Sequence, residues 1–242
     1  MHISVVYILI FISSYIIGSI PFSWIVTKLK TGNDLREIGS GNVGGRNVYR
    51  ATKSTPWAVF AGFLDTSRSL TAMALPYFLS LNFYFTNPEY ISVWPYDRLA
   101  CFALALSGIG AILGHNWPIY LLSSGGKGIT VVIASMALAN PILLGFWVLL
   151  WPIIITIIGY SSITYIVVTF LVGVIALFLP SVMLMSWAQC NLGLALLLFG
   201  ITIIMLSRQG DNFRKIRSGE AKKMNILKVF RGKSKLSDEA LK

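Results

Sequence analysis

The sequence predicts an all-α, polytopic integral membrane protein with about seven transmembrane helices. Apolar residues make up 55% of the 242 residues, charged residues only 12%, and the mean hydropathy is +0.72. A soluble chain of this length does not have such a composition. The charges are also confined, since residues 1–27, 99–126 and 128–207 contain none. Charge-free stretches of this length are typical of membrane-spanning segments.

Each span is predicted from a run of about 20 apolar residues, the length with which a helix crosses the hydrocarbon core. Three clear runs lie at 4–27, 56–82 and 98–116. The charge-free stretch 128–207 has room for four more, and its first piece, 128–139, is short enough to be a re-entrant half-helix. Turn signals divide this stretch at Asn140-Pro141, at 159–162 and at Pro180-Ser181.

The net charge of +11 is concentrated in two segments, residues 28–55 with +4 and residues 208–242 with +7. Cytoplasmic loops are enriched in Lys and Arg, so both segments are predicted on the cytoplasmic side, which requires an odd number of crossings. Seven spans satisfy this with the N-terminus and the acidic loop 83–97 outside and the C-terminus in the cytoplasm. We therefore predict one transmembrane domain over 1–207, with cytoplasmic loops at 28–55 and 114–130 that are candidates for the functional site. A basic cytoplasmic segment with a disordered end follows over 208–242.

The first cytoplasmic loop has a composition that suits an anion. Four glycines in the seven positions 39–45 alternate with Ser40 and Asn42, so the chain can turn tightly and aim backbone N–H groups at one point. Arg46 and Arg50 follow and are suited to bidentate contacts with phosphate oxygens. Taken alone, the segment is equally typical of a flexible loop whose arginines contact lipid headgroups.

Two further segments are predicted on the same side. Lys127 stands between glycines at the start of a helix, where free N–H groups and the helix dipole favour an anion, although the segment is not a Walker A loop. His115 taken alone is more typical of a helix cap or a buried hydrogen-bonding group than of a catalyst. The stretch from Arg208 to Glu220 is typical of a juxtamembrane polybasic helix that contacts anionic lipid.

Polar residues inside the predicted spans allow two more predictions. Asp65 and Arg68 are three residues apart on one helix face, so we expect a pair that faces the bundle interior or a polar cavity, with a functional or an orienting role. Cys101 and Cys190 lie in apolar runs without CxxC spacing, which predicts neither a disulfide nor a metal site.

In this order the three cytoplasmic segments resemble the PlsY family, the bacterial membrane-integral glycerol-3-phosphate acyltransferases that use acyl phosphate. The resemblance covers nearly the whole chain. It rests on Gly18-Ser19-Ile20-Pro21-Phe22, on the run from Arg36 to Gly44, on Gly114-His115, on Gly125-Gly126-Lys127-Gly128 and on the segment around Asn212.

The resemblance implies transfer of a fatty acyl group from acyl phosphate to the 1-hydroxyl of glycerol 3-phosphate, which forms lysophosphatidic acid for phospholipid biosynthesis. It implies seven spans in the cell (inner) membrane and a site at the cytoplasmic face. The expected partners are glycerol 3-phosphate, acyl phosphate and membrane lipids, without nucleic acid, cofactor or metal, and the chain is expected to be monomeric. The implied catalytic residues are Ser40, Arg50, Lys127 and Asn212. The implied substrate-binding residues are Gly41, Asn42, Gly44, Asn47, His115, Gly125, Gly126, Gly128, Arg208 and Gln209.

Several positions depart from the family pattern. Arg46 stands where a small hydroxyl residue is usual, Gln209 stands where the third motif has a histidine, and Gly210 stands where it has an arginine. The closing glutamate of that motif is replaced by Ala221, and the lysine of the second span by Arg68. Two alternatives therefore stay open. One is a catalytically impaired or acceptor-altered paralogue, and the other is a membrane transporter for an organic phosphate.

Overall fold

The computed structural model describes residues 3–87, 96–122, 125–183, 190–221 and 223–224. Over these ranges the chain forms α-helices and single 3-10 turns, and it contains no strand. The prediction of an all-α fold is confirmed. Most of the acidic loop 83–97 and the end of the basic tail lie outside the described residues, so the predictions for them stay predictions.

Ten α-helices follow one another along the described chain. They are α1 Ile3–Gly18, α2 Phe22–Thr31, α3 Gly45–Thr52, α4 Thr55–Thr86, α5 Tyr96–Asn116, α6 Ile129–Ala139, α7 Pro141–Ile158, α8 Ser161–Leu177, α9 Asn191–Ser207 and α10 Gly210–Arg217. The 3-10 turns are Leu35–Glu37, Ile119–Leu121 and Ser181–Met183.

The predicted breaks in 128–207 are confirmed, and the first two have local causes. Asn140 ends α6 and caps α7, where its side chain accepts a hydrogen bond from the Ile142 N–H at 3.0 Å. Gly159 ends α7 in the left-handed region, with a φ of 79°. The predicted first span 4–27 is in fact divided into α1 and α2, because Pro21 has no N–H with which to continue a helix.

Glycines let α1 and α5 pack with their backbones in close contact. A Cβ atom on Gly110 would lie 2.6 Å from the Phe11 carbonyl oxygen, and one on Gly18 would lie 2.6 Å from the Ala111 carbonyl oxygen. Gly114 is equally crowded by the Tyr15 carbonyl. Small residues at such a contact are how helices approach closely in a membrane, where lipid provides no hydrophobic drive for association.

Several helices have the length and composition of membrane spans. Among the described residues, Ile3–Thr31, Phe102–Leu121 and Pro141–Ile158 are long and apolar enough to cross alone. The α9–α10 pair meets the same standard together and is bent by 57°, whereas α6 and α8 are shorter apolar helices. The count of seven spans and their orientation stay predictions.

A small apolar cluster fixes the loop between α2 and α3 to the helix bundle. Leu35 and Val43 of the loop are buried against side chains from α2, α3, α4 and the 119–121 turn. The other buried members of the cluster are Val26, Val48, Ala61 and Leu121. Burial of these side chains holds the polar loop residues at one end of the bundle.

The prediction of unpaired cysteines is wrong for Cys190, which is disulfide-bonded. Its sulfur also accepts a hydrogen bond from the Gly193 N–H at 3.1 Å at the start of α9. Motif spacing did not indicate this disulfide because pairing depends on which helix ends meet in space. The cysteine lies at the opposite end of α9 from Arg208.

Candidate active site

The side chain of Asn47 holds the first loop together through hydrogen bonds. Its buried side-chain Nδ2 donates to the carbonyls of Leu35 at 2.9 Å and Ile38 at 2.8 Å, while its Oδ1 accepts from the Ser40 N–H at 3.3 Å. The predicted substrate-binding amide of Asn47 is thus engaged within the loop, where it holds Ser40 in place. Gly41 completes the turn with a φ of 66°, a conformation that costs glycine little.

The second loop is attached to the first loop and to His115. The Gly126 N–H donates to the His115 carbonyl at 2.9 Å, and the Val43 N–H donates to the Gly125 carbonyl at 3.4 Å. A Cβ atom on Gly126 would collide with the His115 ring. Because only glycine fits there, the loop packs flat on His115 and presents Lys127 on the other side.

Behind this loop lies a buried polar network. Arg68 Nη2 lies 2.7 Å from His115 Nδ1, and Arg68 Nη1 donates to the Ile20 carbonyl at 2.8 Å. The same guanidinium lies 3.8 Å from the Asp65 carboxylate, which also accepts a 2.5 Å hydrogen bond from Ser23. The Asp65–Arg68 pair therefore faces the bundle interior, as predicted, and supports His115. With side chains only 2% exposed, the pair does not line an open path for an anion.

The segment after α9 contacts the same loop from the side opposite to this network. Arg208 Nη2 donates to the Gly125 carbonyl at 3.3 Å, and its guanidinium lies 5.6 Å from the centre of the Trp117 ring. Gln209 is 2% exposed, and its Oε1 accepts a hydrogen bond from the Asn212 amide of α10. Gln209, the residue for which the resemblance implies a histidine, thus orients Asn212.

These elements enclose two adjoining cavities. The larger cavity has a volume of about 720 Å³ and is lined by Ser40, Gly41, Asn42, Lys127, Ser207, Arg208, Gly210, Asp211, Asn212, Arg214, Lys215, Ser218 and Glu220. The smaller cavity, of about 280 Å³, is lined by Ser40, Asn42, Arg46, Asn47, Arg50, Lys127, Ile129, Ser161, Ser162, Tyr165, Met205, Gln209, Asn212 and Lys215. The residues common to both are Ser40, Asn42, Lys127, Asn212 and Lys215, so all of the shared residues except Lys215 are predicted site residues.

Lys127 is the cation at the centre of this arrangement. Burial, the largest cause, lowers the pKa of its ammonium group, and Asp211 opposes that effect. The positive charges of Arg208, Lys215 and Arg46 lower the pKa of Lys127 further. Cations held this close together repel one another, and an anionic ligand between them relieves that repulsion.

The structure brings most of the predicted site residues to the cavities. The predicted residues that are absent from the cavity lining are Gly44, His115, Gly125, Gly126 and Gly128. Four of them build and support the Lys127 loop, and Gly44 precedes α3. Sequence reasoning missed Ser161, Ser162 and Tyr165 of α8 and Lys215 of α10. The predicted topology could have indicated the serines, because the break at 159–162 falls on the same cytoplasmic side as Lys127.

The family model described as glycerol-3-phosphate acyltransferase matches residues 8–229, which is most of the chain. The chain belongs to the glycerol-3-phosphate acyltransferase family. This membership confirms the resemblance read from the three cytoplasmic segments.

Relatives in this family cover most of the chain. The glycerol-3-phosphate acyltransferase of Ehrlichia chaffeensis is 28% identical over 221 residues, 91% of this chain and 98% of the relative. The enzyme of the same name from Wolbachia pipientis of Culex pipiens is 37% identical over 161 residues, 66% of this chain and 74% of the relative. The prediction of an acyltransferase is confirmed.

The fold also matches solved structures. The crystal structure of PlsY (YgiH), an integral membrane glycerol 3-phosphate acyltransferase, in its glycerol 3-phosphate form superposes with a TM-score of 0.67 at 25% identity. The match covers 93% of this chain and 98% of that protein. Its lysophosphatidic acid form gives a TM-score of 0.66 at 22% identity. The prediction of an integral membrane protein is therefore confirmed.

Proposed function

We propose that this acyltransferase moves a fatty acyl group from acyl phosphate to the 1-hydroxyl of glycerol 3-phosphate, forming lysophosphatidic acid and phosphate. The observation that carries the proposal is that Ser40, Asn42, Lys127 and Asn212 line both cavities. Two phosphate-bearing substrates must meet in this reaction, and two cavities with a shared cationic wall can hold them side by side. The glycerol 3-phosphate form of the related PlsY supports the acceptor.

The chemistry requires positioning and charge stabilisation more than acid–base groups. The acceptor hydroxyl oxygen bonds to the acyl carbonyl carbon, and the bond from that carbon to the phosphate oxygen breaks. Phosphate leaves with the bonding electrons and takes the hydroxyl proton. Lys127 and Arg50 stabilise the charge on the leaving phosphate, while Ser40 and Asn212 orient the two substrates. Asn47, Gln209 and His115 hold these groups in place.

We further propose that the site faces the cytoplasm, with seven spans, and that the protein is a monomer of the inner membrane. The basic segments 28–55 and 208–242 support this orientation. The disulfide at Cys190 supports this orientation independently. Cys190 lies at the end of α9 opposite to Arg208, and disulfides persist in oxidising compartments. The bend between α9 and α10 supports the proposed division of the chain at residue 207.

The test is an assay of the purified full-length protein in detergent with palmitoyl phosphate and labelled glycerol 3-phosphate. We expect labelled lysophosphatidic acid and an equal amount of free phosphate, with neither product when the donor is omitted. A relative such as the Ehrlichia enzyme, assayed in parallel, serves as the positive control. No product beside an active relative would contradict the proposal. A Gln209→His variant that then became active would favour the impaired paralogue.

A further inference from the structure

Arg46 is held at the wall of the smaller cavity by contacts with α8. Its Nη1 donates to Ser161 Oγ at 3.1 Å, and its Nη2 lies within hydrogen-bonding distance of Tyr165 Oη at 3.4 Å. Tyr165 is itself stacked on two rings of α7, with its centroid 5.7 Å from Trp147 and 5.7 Å from Trp151. These contacts aim the guanidinium without neutralising it, because both partners are hydroxyl groups.

The smaller cavity is suited to an anion with more than one charge. Four cationic side chains line it, namely Arg46, Arg50, Lys127 and Lys215. Its described lining contains no carboxylate. The larger cavity differs, since Asp211 and Glu220 are also present there. A phosphate group would therefore meet more uncompensated positive charge in the smaller cavity.

Arg46 and Arg50 also border an apolar groove on the outside of the bundle. This groove has a volume of about 520 Å³ and lies between α3 and the start of α4, where Gly45, Tyr49, Ala58 and Val59 line it. The side chains of Tyr49 and Val59 are 50% and 65% exposed. The two arginines thus stand between a cationic cavity and a groove that suits a hydrocarbon chain.

The proposed substrates differ in how well they fit this junction. Acyl phosphate has a phosphate head joined to a fatty chain, whereas glycerol 3-phosphate has no apolar part. Resting on the proposed function, we propose that Arg46 binds the phosphate of the acyl phosphate donor, whose fatty chain lies in the groove between α3 and α4. Ser161 and Tyr165 are the positioning residues for this arginine. Glycerol 3-phosphate then occupies the larger cavity.

The first test compares Arg46→Gln with Lys53→Gln, which removes a cation from the end of α3 outside both cavities. At saturating glycerol 3-phosphate, we expect Arg46→Gln to raise the KM for palmitoyl phosphate by about tenfold or more, the loss expected for a charge-assisted hydrogen bond. Lys53→Gln should leave the KM for palmitoyl phosphate unchanged. A rise in the KM for glycerol 3-phosphate instead, or equal effects of the two variants, would overturn the proposal. Higher activity in Arg46→Thr than in the wild type would also overturn the proposal.

The second test separates positioning by Tyr165 from a structural role. Tyr165→Phe keeps the ring stack but removes the hydroxyl group, so we expect a several-fold rise in the KM for palmitoyl phosphate with kcat preserved. A fall in kcat without a change in this KM would contradict the positioning role.

The third test probes the groove with donors of different chain length. Val59→Trp narrows the groove, and Phe60→Trp changes the adjacent residue, which does not line it. We expect Val59→Trp to raise the KM for palmitoyl phosphate several-fold more than the KM for hexanoyl phosphate, whereas Phe60→Trp affects both equally. An equal effect of Val59→Trp on both donors would place the fatty chain elsewhere.

A binding measurement keeps this inference separate from the proposed function. Calorimetry with a palmitoyl phosphonate, which cannot transfer its acyl group, requires no turnover. Weaker binding by Arg46→Gln, with unchanged binding by Lys53→Gln, would support donor binding by Arg46 even if the wild type formed no product. Equal binding by the wild type and Arg46→Gln would overturn it even if the wild type were active.

Discussion

Two groups of charged residues flank the glycine loop around Lys127, and they differ in how their charge is compensated. Behind the loop, Arg68 is buried with Asp65, His115 and the Ile20 carbonyl as partners. In front of the loop, the described lining of the smaller cavity contains four cations and no carboxylate. The cation paired with a buried carboxylate supports the loop, whereas the cations of a cavity without a carboxylate in its described lining are available to a ligand.

The largest effect is expected from breaking the network behind the loop. Arg68→Met leaves the Asp65 carboxylate buried without its cation, and we expect this to destabilise the protein by about 3–5 kcal/mol. Chemical unfolding in detergent measures the change. Asp65→Asn combined with Arg68→Met should recover much of the lost stability, and a double variant as unstable as the single one would argue against charge pairing as the cause.

Lys127→Ala should lower activity rather than stability. Removing a positioned cation from the site is expected to lower kcat by about 10²-fold or more, with little change in stability, since no carboxylate of the described residues forms a salt bridge with Lys127. Product formation and chemical unfolding are measured together, with Lys53→Ala as the control for loss of a surface cation. A large loss of stability in Lys127→Ala would show that the two groups are less distinct than their contacts indicate.

The contact between the two groups can be disturbed directly. Gly126→Ala places a methyl group against the His115 ring, which Arg68 holds, so the loop must shift. We expect at least a tenfold loss of kcat, because a displaced Lys127 no longer aligns with the leaving phosphate. Gly62→Ala is the matched control, since a Cβ there meets no atom within 4 Å. Equal activity of the two variants would show that the glycine is not required.

The smallest effect concerns pH. Burial and neighbouring cations lower the pKa of Lys127, so its positive charge is lost at a lower pH than that of an ordinary lysine. Substrate KM values should therefore rise on the alkaline side as the ammonium deprotonates. Asp211→Asn removes the carboxylate that raises this pKa, so the rise should begin at a lower pH. Glu37→Gln, a change outside both cavities, should leave the profile in place, and an unchanged profile in Asp211→Asn would exclude Lys127 as its source.

Local chemistry explains which parts of this architecture were predictable from the sequence. Helix breaks at Asn140-Pro141 and Gly159 were evident, because capping and glycine conformation depend on adjacent residues. Lys127 and Asn212 were predicted as site residues from sequence motifs. The contacts of Arg46 with Ser161 and Tyr165 were not predictable, because they join residues more than a hundred positions apart and α8 has no charge that would indicate a partner for Arg46.

The same distinction holds for the supporting residues. His115 was a candidate for substrate binding, yet its ring lies behind the glycine loop against Arg68, outside the cavity lining. Asn47 was also a candidate for substrate binding, and its amide holds the first loop together. Motifs record that a residue belongs to a site, but they do not separate a group that contacts a ligand from one that supports such a group.

Tyr165, which lines the smaller cavity, is stacked on Trp147 and Trp151, so a change in that cavity can alter the surroundings of natural fluorophores. The tyrosine hydroxyl faces Arg46, and its ring lies against two natural fluorophores at interplanar angles of 7° and 24°. A ligand that draws the guanidinium towards itself changes the surroundings of that ring, and so the emission of its tryptophan neighbours. Occupancy of the cavity can thus be followed in membranes or detergent by intrinsic fluorescence, without an attached label.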